Sequence, residues 1–358
     1  MTNVLRQDEK AVLTLRSLYE SYGYKKYKMS KFENYDLYLE NKNFLESEKI
    51  VTFSGSGGKL LALKPDITLS IIKNAPKKID GAYKTYYSEN VYRSADSSGD
   101  IKEIMQAGIE HIGDVDIYSE AEVLTLASRS LKTISESSVI GISHMGIIAA
   151  LMSDADVSDA YAKKIRRCMA DKNTHTLKKL CKEIDKAELG ETLCRLAKIY
   201  GPIAETLPKI KKICEGKAVE AVLELETLAE VLKATGEMNS FALDFSVSND
   251  MDYYNGIIFQ GFIDGIPRHV LSGGRYDGLV RKMGIKADAI GFAVYLDLLE
   301  RFGKNEKEFD VDVLLVYGET SAVDVALKIE ALKAEGKKVC AVKRAGEACP
   351  SYKELVTL

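Results

Sequence analysis

Apolar positions in the first 140 residues fall in short runs broken by turn-rich pieces, after a single amphipathic opening. Val4, Leu5, Val12, Leu13, Leu15, Leu18 and Tyr19 recur at helical spacing and predict an N-terminal helix. SGSGG at 54–58 is turn material. From about Gly141 to Thr235 the pattern turns almost wholly helical. It is rich in Ala, Leu, Lys and Glu, with proline only at Pro202 and Pro208. Strand-like runs return from Phe241, where IIFQGFI and IPRHVLSGG flank Asp264-Gly265, a hairpin signal. Beyond Lys304, VDVLLVY predicts a buried strand, SAVDVALKIEALKAEG a helix closed by Gly336, and KKVCAVK a second strand. This order predicts an α+β fold. One domain is expected over 1–140 and 236–305, split by a helical insertion over 141–235, with a short βαβ-like C-terminal segment over 306–358.

Composition narrows the class. Hydrophobic residues at 46% and charged residues at 29% are values of a globular protein, and 358 residues exceed one ordinary compact unit. A protein that grips a long nucleic acid draws its affinity from neutralised phosphates, whereas the net charge here is −3. The lysine-rich stretch KKIRRCMADKNTHTLKKLCKEIDK sets its bases beside acids at helical spacing, the look of a solvated face. Nucleic acid is therefore not an expected partner. The six cysteines form no CxxC pair and no ligand cluster with the four histidines. They read as buried, reduced thiols, and no metal or other cofactor is expected. The charged N-terminal segment has no apolar signal core, and no run approaches the length of a membrane span. A cytoplasmic protein without membrane association is the expectation.

Four segments carry the candidate chemistry, in this order: LALKPDITLSIIK (61–73), TYYSENVYRSADSSGDIKEIMQAGIEHIG (85–113), DFSVSNDMDYYNGIIFQ (244–260), and LSGGRYDGLVRKMG followed by AIGFAVYLDLLERF. Any one alone is a weak signal. As an ordered set framing about 305 residues, they resemble the histidyl-tRNA synthetase family: its Arg-Pro-Glu signature, class II motif 2, the Asp-Tyr-Tyr-x-Gly segment, and the Gly-Gly-Arg-Tyr-Asp element with motif 3. The resemblance implies a class II aminoacyl-tRNA synthetase-like antiparallel sheet flanked by helices, and a tail like a truncated anticodon-binding domain.

The departures from that family are as informative as the matches. Activating an amino acid with ATP calls for fixed arginines, whose guanidinium groups hold phosphate bidentately as charge develops. Arg93 stands at the motif 2 arginine position. The motif 2 glutamate position, however, is Ala95, and the loop that follows carries Asp96 and Asp100 where the family is rich in arginine. The arginine before the family's Asp-Tyr-Tyr is Asn249 here, followed by Asp250, and the motif 3 arginine falls on Leu298. Together these losses remove the ATP site that the resemblance would imply.

The groups that the resemblance assigns to histidine are kept. Asp66 and Thr68, with Gln106 beside them, line up for the α-ammonium. Glu110 and Tyr254 fall on the imidazole positions, and Tyr276 borders the pocket. An imidazole donates at one nitrogen and accepts at the other, so a carboxylate beside a hydroxyl suits it. Gln106, Gly108 and Glu110 alternate, and on a strand they share one face. His111 then faces away. Tyr253 and Tyr254 face opposite sides, and Tyr254 is the candidate for the pocket. Arg93 is open to two readings, a contact with the histidine carboxylate or an internal ion pair with Glu89 or Asp96. Gly273 and Gly274 read as a tight turn with close backbone approach, and Arg275 and Asp277 are as readily structural as functional.

A kept amino-acid pocket with lost phosphate chemistry resembles the non-catalytic branch of this family, the regulatory subunits that partner short-form ATP phosphoribosyltransferase. That resemblance implies a homodimer within a hetero-oligomer. It would activate the catalytic subunit and mediate feedback inhibition by free histidine, with the loop 94–100 as the expected moving element. A working histidyl-tRNA synthetase, or another amino-acid-binding paralogue, is the alternative.

Overall fold

The computed structural model describes residues 7–41, 50–94, 100–247, 254–299 and 309–358. Two compact units divide the chain, Met1–Leu299 and Glu300–Leu358.

In the first unit, α1 (Gln7–Ser21), β1 (Lys25–Lys26), β2 (Phe32–Asn34), α2 (Asp36–Glu40), β3 (Thr52–Ser54), β4 (Leu60–Leu63) and α3 (Thr68–Asn74) precede a long hairpin, β5 (Ala82–Ser94) and β6 (Ile101–Gly113). There follow α4 (Ile117–Lys132) and β7 (Ser138–His144). The helical stretch comprises α5 (Met145–Asp154), α6 (Asp159–Ala170), α7 (Thr174–Glu183), α8 (Ala187–Ala197), the short β8 (Tyr200–Pro202), α9 (Ile203–Lys211) and α10 (Ala218–Ala234). The chain returns through β9 (Phe241–Asp244), β10 (Ile257–Ile263), β11 (Leu271–Arg275), α11 (Asp277–Lys282) and β12 (Asp288–Tyr295).

Nine strands form one sheet in the order β1-β5-β6-β12-β11-β10-β7-β9-β8. It is antiparallel except for β1 beside β5 and β7 beside β9. The helical stretch leaves the sheet at β7, gives it the edge strand β8, and returns on β9, which lies between the two. Strands β2, β4 and β3 make a separate small antiparallel sheet.

Alternation divides the large sheet into two faces. Tyr86, Ile109, Phe292 and Phe259 lie on the face covered by α1 and α4. There Tyr19 of α1 sets its ring 6.1 Å from both Tyr86 and Phe292 and its hydroxyl 3.0 Å from Ser130 Oγ. Helix α4 is buried along most of its length, and Asp116 caps it by accepting the Ser119 N–H at 2.8 Å. Tyr87, Gln106, Gly108, Glu110, Gly291 and Gly274 belong to the opposite face, in cross-strand register.

Several expectations need correction. The buried stripe of α1 is Ala11, Leu15 and Tyr19, while Leu13 is 52% exposed; Val4 and Leu5 lie outside the described residues. The turn at Asp264-Gly265 forms, but β11 first pairs at Leu271 with Gly261. The hairpin is looser than a two-residue turn because Phe262 and Ile263 continue pairing with β7 instead. Gly273 and Gly274 sit inside β11, not in a turn. Cys168, Cys181, Cys194 and Cys214 are buried, whereas Cys340 and Cys349 are only half-buried. Among the described residues, no helix is long and apolar enough to cross a membrane.

In the second unit β13 (Val311–Val316) and β14 (Val339–Val342) are parallel and joined by α12 (Ala322–Ala334), which Ser321 caps. Gly336 follows the helix with φ +80°, the left-handed geometry that lets a helix stop. A third strand, β15 (Tyr352–Thr357), pairs parallel to β13 on its other side.

Candidate functional site

Glu110 lies mid-sheet on β6, 2% exposed. The Thr68 hydroxyl donates to its Oε1 at 2.7 Å and the Tyr276 hydroxyl donates to its Oε2. Burial pushes the carboxyl up to about 8, against the two hydroxyl donors and with a further push from Asp66. Glycines make the room. A Cβ at Gly291, directly across on β12, would overlap the Glu110 carboxylate, and one at Gly274 would meet the Tyr254 ring at 2.7 Å. Tyr87, on β5 opposite Gly108, is buried, and its hydroxyl is raised well above its usual range by burial, then by Glu110 and Asp66.

Asp66 sits at the start of α3, where its Oδ1 accepts the Leu69 N–H at 2.8 Å. Its carboxyl is raised by burial, which the Leu69 N–H and the charge of Arg93 partly offset. Arg93 donates from Nε to the Pro65 carbonyl at 2.9 Å. Among the described residues no ion pair joins it to Glu89, whose partner is the buried Lys64 at 2.5 Å; Asp96 lies outside them. Gln106 lies on the same face as Glu110, 4% exposed, in register with Glu89 and Tyr295.

Thr68, Glu110 and Tyr276 are therefore bonded directly, with Asp66 and Arg93 electrostatically linked, Tyr254 packed over Gly274, and Gln106 further along the same strand face. Ala95, Asn249, Asp250, Tyr253 and most of the loop 94–100 lie outside the described residues. Leu298, at the motif 3 position, is half-buried in a 3-10 turn after β12. His111 faces Lys84 on the other side of the sheet, and among the described residues neither of its ring nitrogens has a hydrogen-bond partner.

Three contributors escaped the sequence reading. Lys64 occupies the arginine position of the Arg-Pro-Glu signature within LKPD, and that offset was the available signal. Tyr87 and Gly291 had none, because their closeness to Glu110 depends on cross-strand register.

The histidyl-tRNA synthetase family model matches residues 3–299. An ATP phosphoribosyltransferase regulatory subunit from Clostridium kluyveri is 31% identical over 336 residues, covering 90% of this chain and 85% of that protein. The solved structure of an ATP phosphoribosyltransferase regulatory subunit/histidyl-tRNA synthetase from Bacillus halodurans aligns with a TM-score of 0.81 at 24% identity, over all of this chain and 96% of that one. A chain of the ATP phosphoribosyl transferase complex from Thermotoga maritima aligns at 0.62 and 19% identity, over 81% of this chain and 97% of that one. These likenesses carry the class II synthetase-like fold. With a family model matching most of its length and a relative above 30% identity over nine-tenths of it, the chain belongs to the histidyl-tRNA synthetase family, among its ATP phosphoribosyltransferase regulatory subunits.

Proposed function

We propose that this chain is the regulatory subunit of a two-component ATP phosphoribosyltransferase in histidine biosynthesis, and that it does no chemistry of its own. It activates a short-form catalytic subunit, works as a homodimer within a hetero-oligomer, and binds free histidine as the feedback signal. The observation that carries the reading is the buried cluster of Glu110, Thr68 and Tyr276, in a sequence where the family's motif 3 arginine position is Leu298. The names of the relatives support the assignment, and the likeness to a chain of the Thermotoga maritima complex supports the partnership.

The imidazole meets Glu110, Tyr276 and Tyr254, where one carboxyl and hydroxyls of either hydrogen-bonding sense match a ring that both donates and accepts. Arg93 takes the α-carboxylate. Asp66, Thr68 and Gln106 take the α-ammonium. Histidine inhibits by favouring one state of the complex over another, a coupling of about 1–3 kcal/mol in typical cases. With Ala95, Asn249 and Leu298 at three of the family's ATP-binding positions, Arg93 is the one of those groups retained, and it serves the α-carboxylate instead.

Calorimetry on the purified chain tests this, with histidine titrated first and ATP second. Expected is histidine binding that Glu110→Ala abolishes, no ATP signal, and stimulation of a short-form catalytic subunit on mixing. Tight, histidine-dependent ATP binding with pyrophosphate exchange would return the working synthetase reading to the front.

A further inference from the structure

Asp277 is 3% exposed and directly follows Tyr276 in the chain. Its Oδ1 accepts the Ala289 N–H at 3.0 Å. Its Oδ2 accepts Asn255 Nδ2 at 2.8 Å and Arg275 Nε at 2.9 Å, while its own N–H donates to Asn255 Oδ1 at 3.0 Å. The Asn255 N–H donates to the Arg275 carbonyl at 3.1 Å, and the Tyr276 N–H to the Ala289 carbonyl at 2.8 Å. Arg275 commits its remaining nitrogens to Glu120 and Asp288, each at 2.9 Å. Four separate stretches of chain, at 120, 255, 275–277 and 288–289, are tied in one knot.

The knot adjoins the Glu110 cluster through Tyr276. Three donors already occupy the Asp277 carboxylate, and Arg275 faces three carboxylates. Tyr276 is the immediate neighbour of Asp277 and donates to Glu110. Tyr254 is the immediate neighbour of Asn255 and rests on Gly274. Tyr276 has φ −139° and ψ 45°, a conformation that neither the strand before it nor the helix after it imposes. What holds it is the bonding on either side.

We infer that Asp277 is a positioning residue for the ring-binding end of the pocket, fixing Tyr276 against Glu110 and, through Asn255, Tyr254 above Gly274. The inference rests on the histidine reading of the pocket for its ligand, though the placement of the tyrosines can be measured without one. The bonding is directional. An amide at 277 would set a donor against the donor of Asn255 and withdraw the acceptor from Arg275. Exchanging the two, Asn255→Asp with Asp277→Asn, re-pairs these two side chains but leaves one oxygen at 277 for both the Arg275 Nε and the Ala289 N–H, so recovery is expected only in part.

The test uses the full chain labelled with fluorotyrosine, by fluorine NMR without ligand and by histidine calorimetry. The Tyr276 resonance, assigned by its loss in Tyr276→Phe, is expected to move in Asp277→Asn and return part of the way in the double exchange. Histidine affinity should fall about tenfold or more in the single variant, as for loss of a buried hydrogen-bonding pair, and recover only in part in the exchange. A folded Asp277→Asn chain with unchanged resonance and affinity overturns the inference. Should Asp277→Asn fail to fold, Asn255→Ala removes only the loop end of the knot, and the Tyr254 resonance, assigned with Tyr254→Phe, is read instead. If the unmodified chain binds no histidine, the ligand assignment falls and the fluorine spectra alone decide the positioning.

Discussion

Burial raises the Glu110 carboxyl, and the hydroxyls of Tyr276 and Thr68 offset that only in part. Its carboxyl stands at about 8 in the folded chain against 4.5 when free of the fold, so folding takes up a proton between those values. Stability that this proton supports is present in full below about pH 4.5, declines as pH rises, and is gone above about pH 8. The decline is on the order of a few kcal/mol. Glu110→Gln cannot ionise, so its thermal midpoint should drop less than that of the unmodified chain from pH 5 to 8. A constant gap between the two profiles would mean that the carboxyl is not raised. Of the residues themselves, Asp66, Thr68, Glu110 and Tyr276 were legible because each falls on a family motif. Lys64 was half-hidden by its lysine-for-arginine offset. The Arg93 alternatives needed coordinates, since only they show Glu89 paired with Lys64.

Among the elements, α4 links the sheet to the helices, packing on β7, β10 and β12 and against α1 and α10. Asp116 starts it from an extended backbone and accepts both the Ser119 N–H and its hydroxyl, at 2.8 and 2.9 Å. Asp116→Ala should cost about 1 kcal/mol, seen as a lower urea midpoint at unchanged slope. No loss would mean that another group caps the helix. The long helices and central strands were readable from period alone, because burial on one face writes itself into spacing. The hairpin loop at 262–270 was not, because the length of β10 is set by its pairing with β7. Strand β15 also escaped notice. It lies at a sheet edge and alternates too weakly, with Lys353, Glu354 and Leu355 all exposed.

For the whole molecule, Asp66, Thr68, Arg93, Gln106, Glu110, Tyr254 and Tyr276 all lie within Met1–Leu299, one of the two compact units. A chain ending at Leu299 should therefore fold and bind histidine with the affinity of the full chain, read by calorimetry. Loss of binding by a folded truncation would give the unit from Glu300 onward a part in the site. Either result bears on how the regulatory complex divides its labour, since stimulation of a catalytic subunit can be measured on the same truncation.

The sequence by itself determined the family, the order of helical and extended regions, and which residues to look for at the site, because motif residues and hydrophobic period are local properties. Only the tertiary structure decided which side chains meet: that Thr68 and Tyr276 share Glu110, that Gly291 and Gly274 clear its space, and that Arg275 and Asp277 knot the pocket from outside. These depend on cross-strand register between segments far apart in the chain, such as Glu110 with Gly291. No local pattern encodes a register that the whole sheet must settle together.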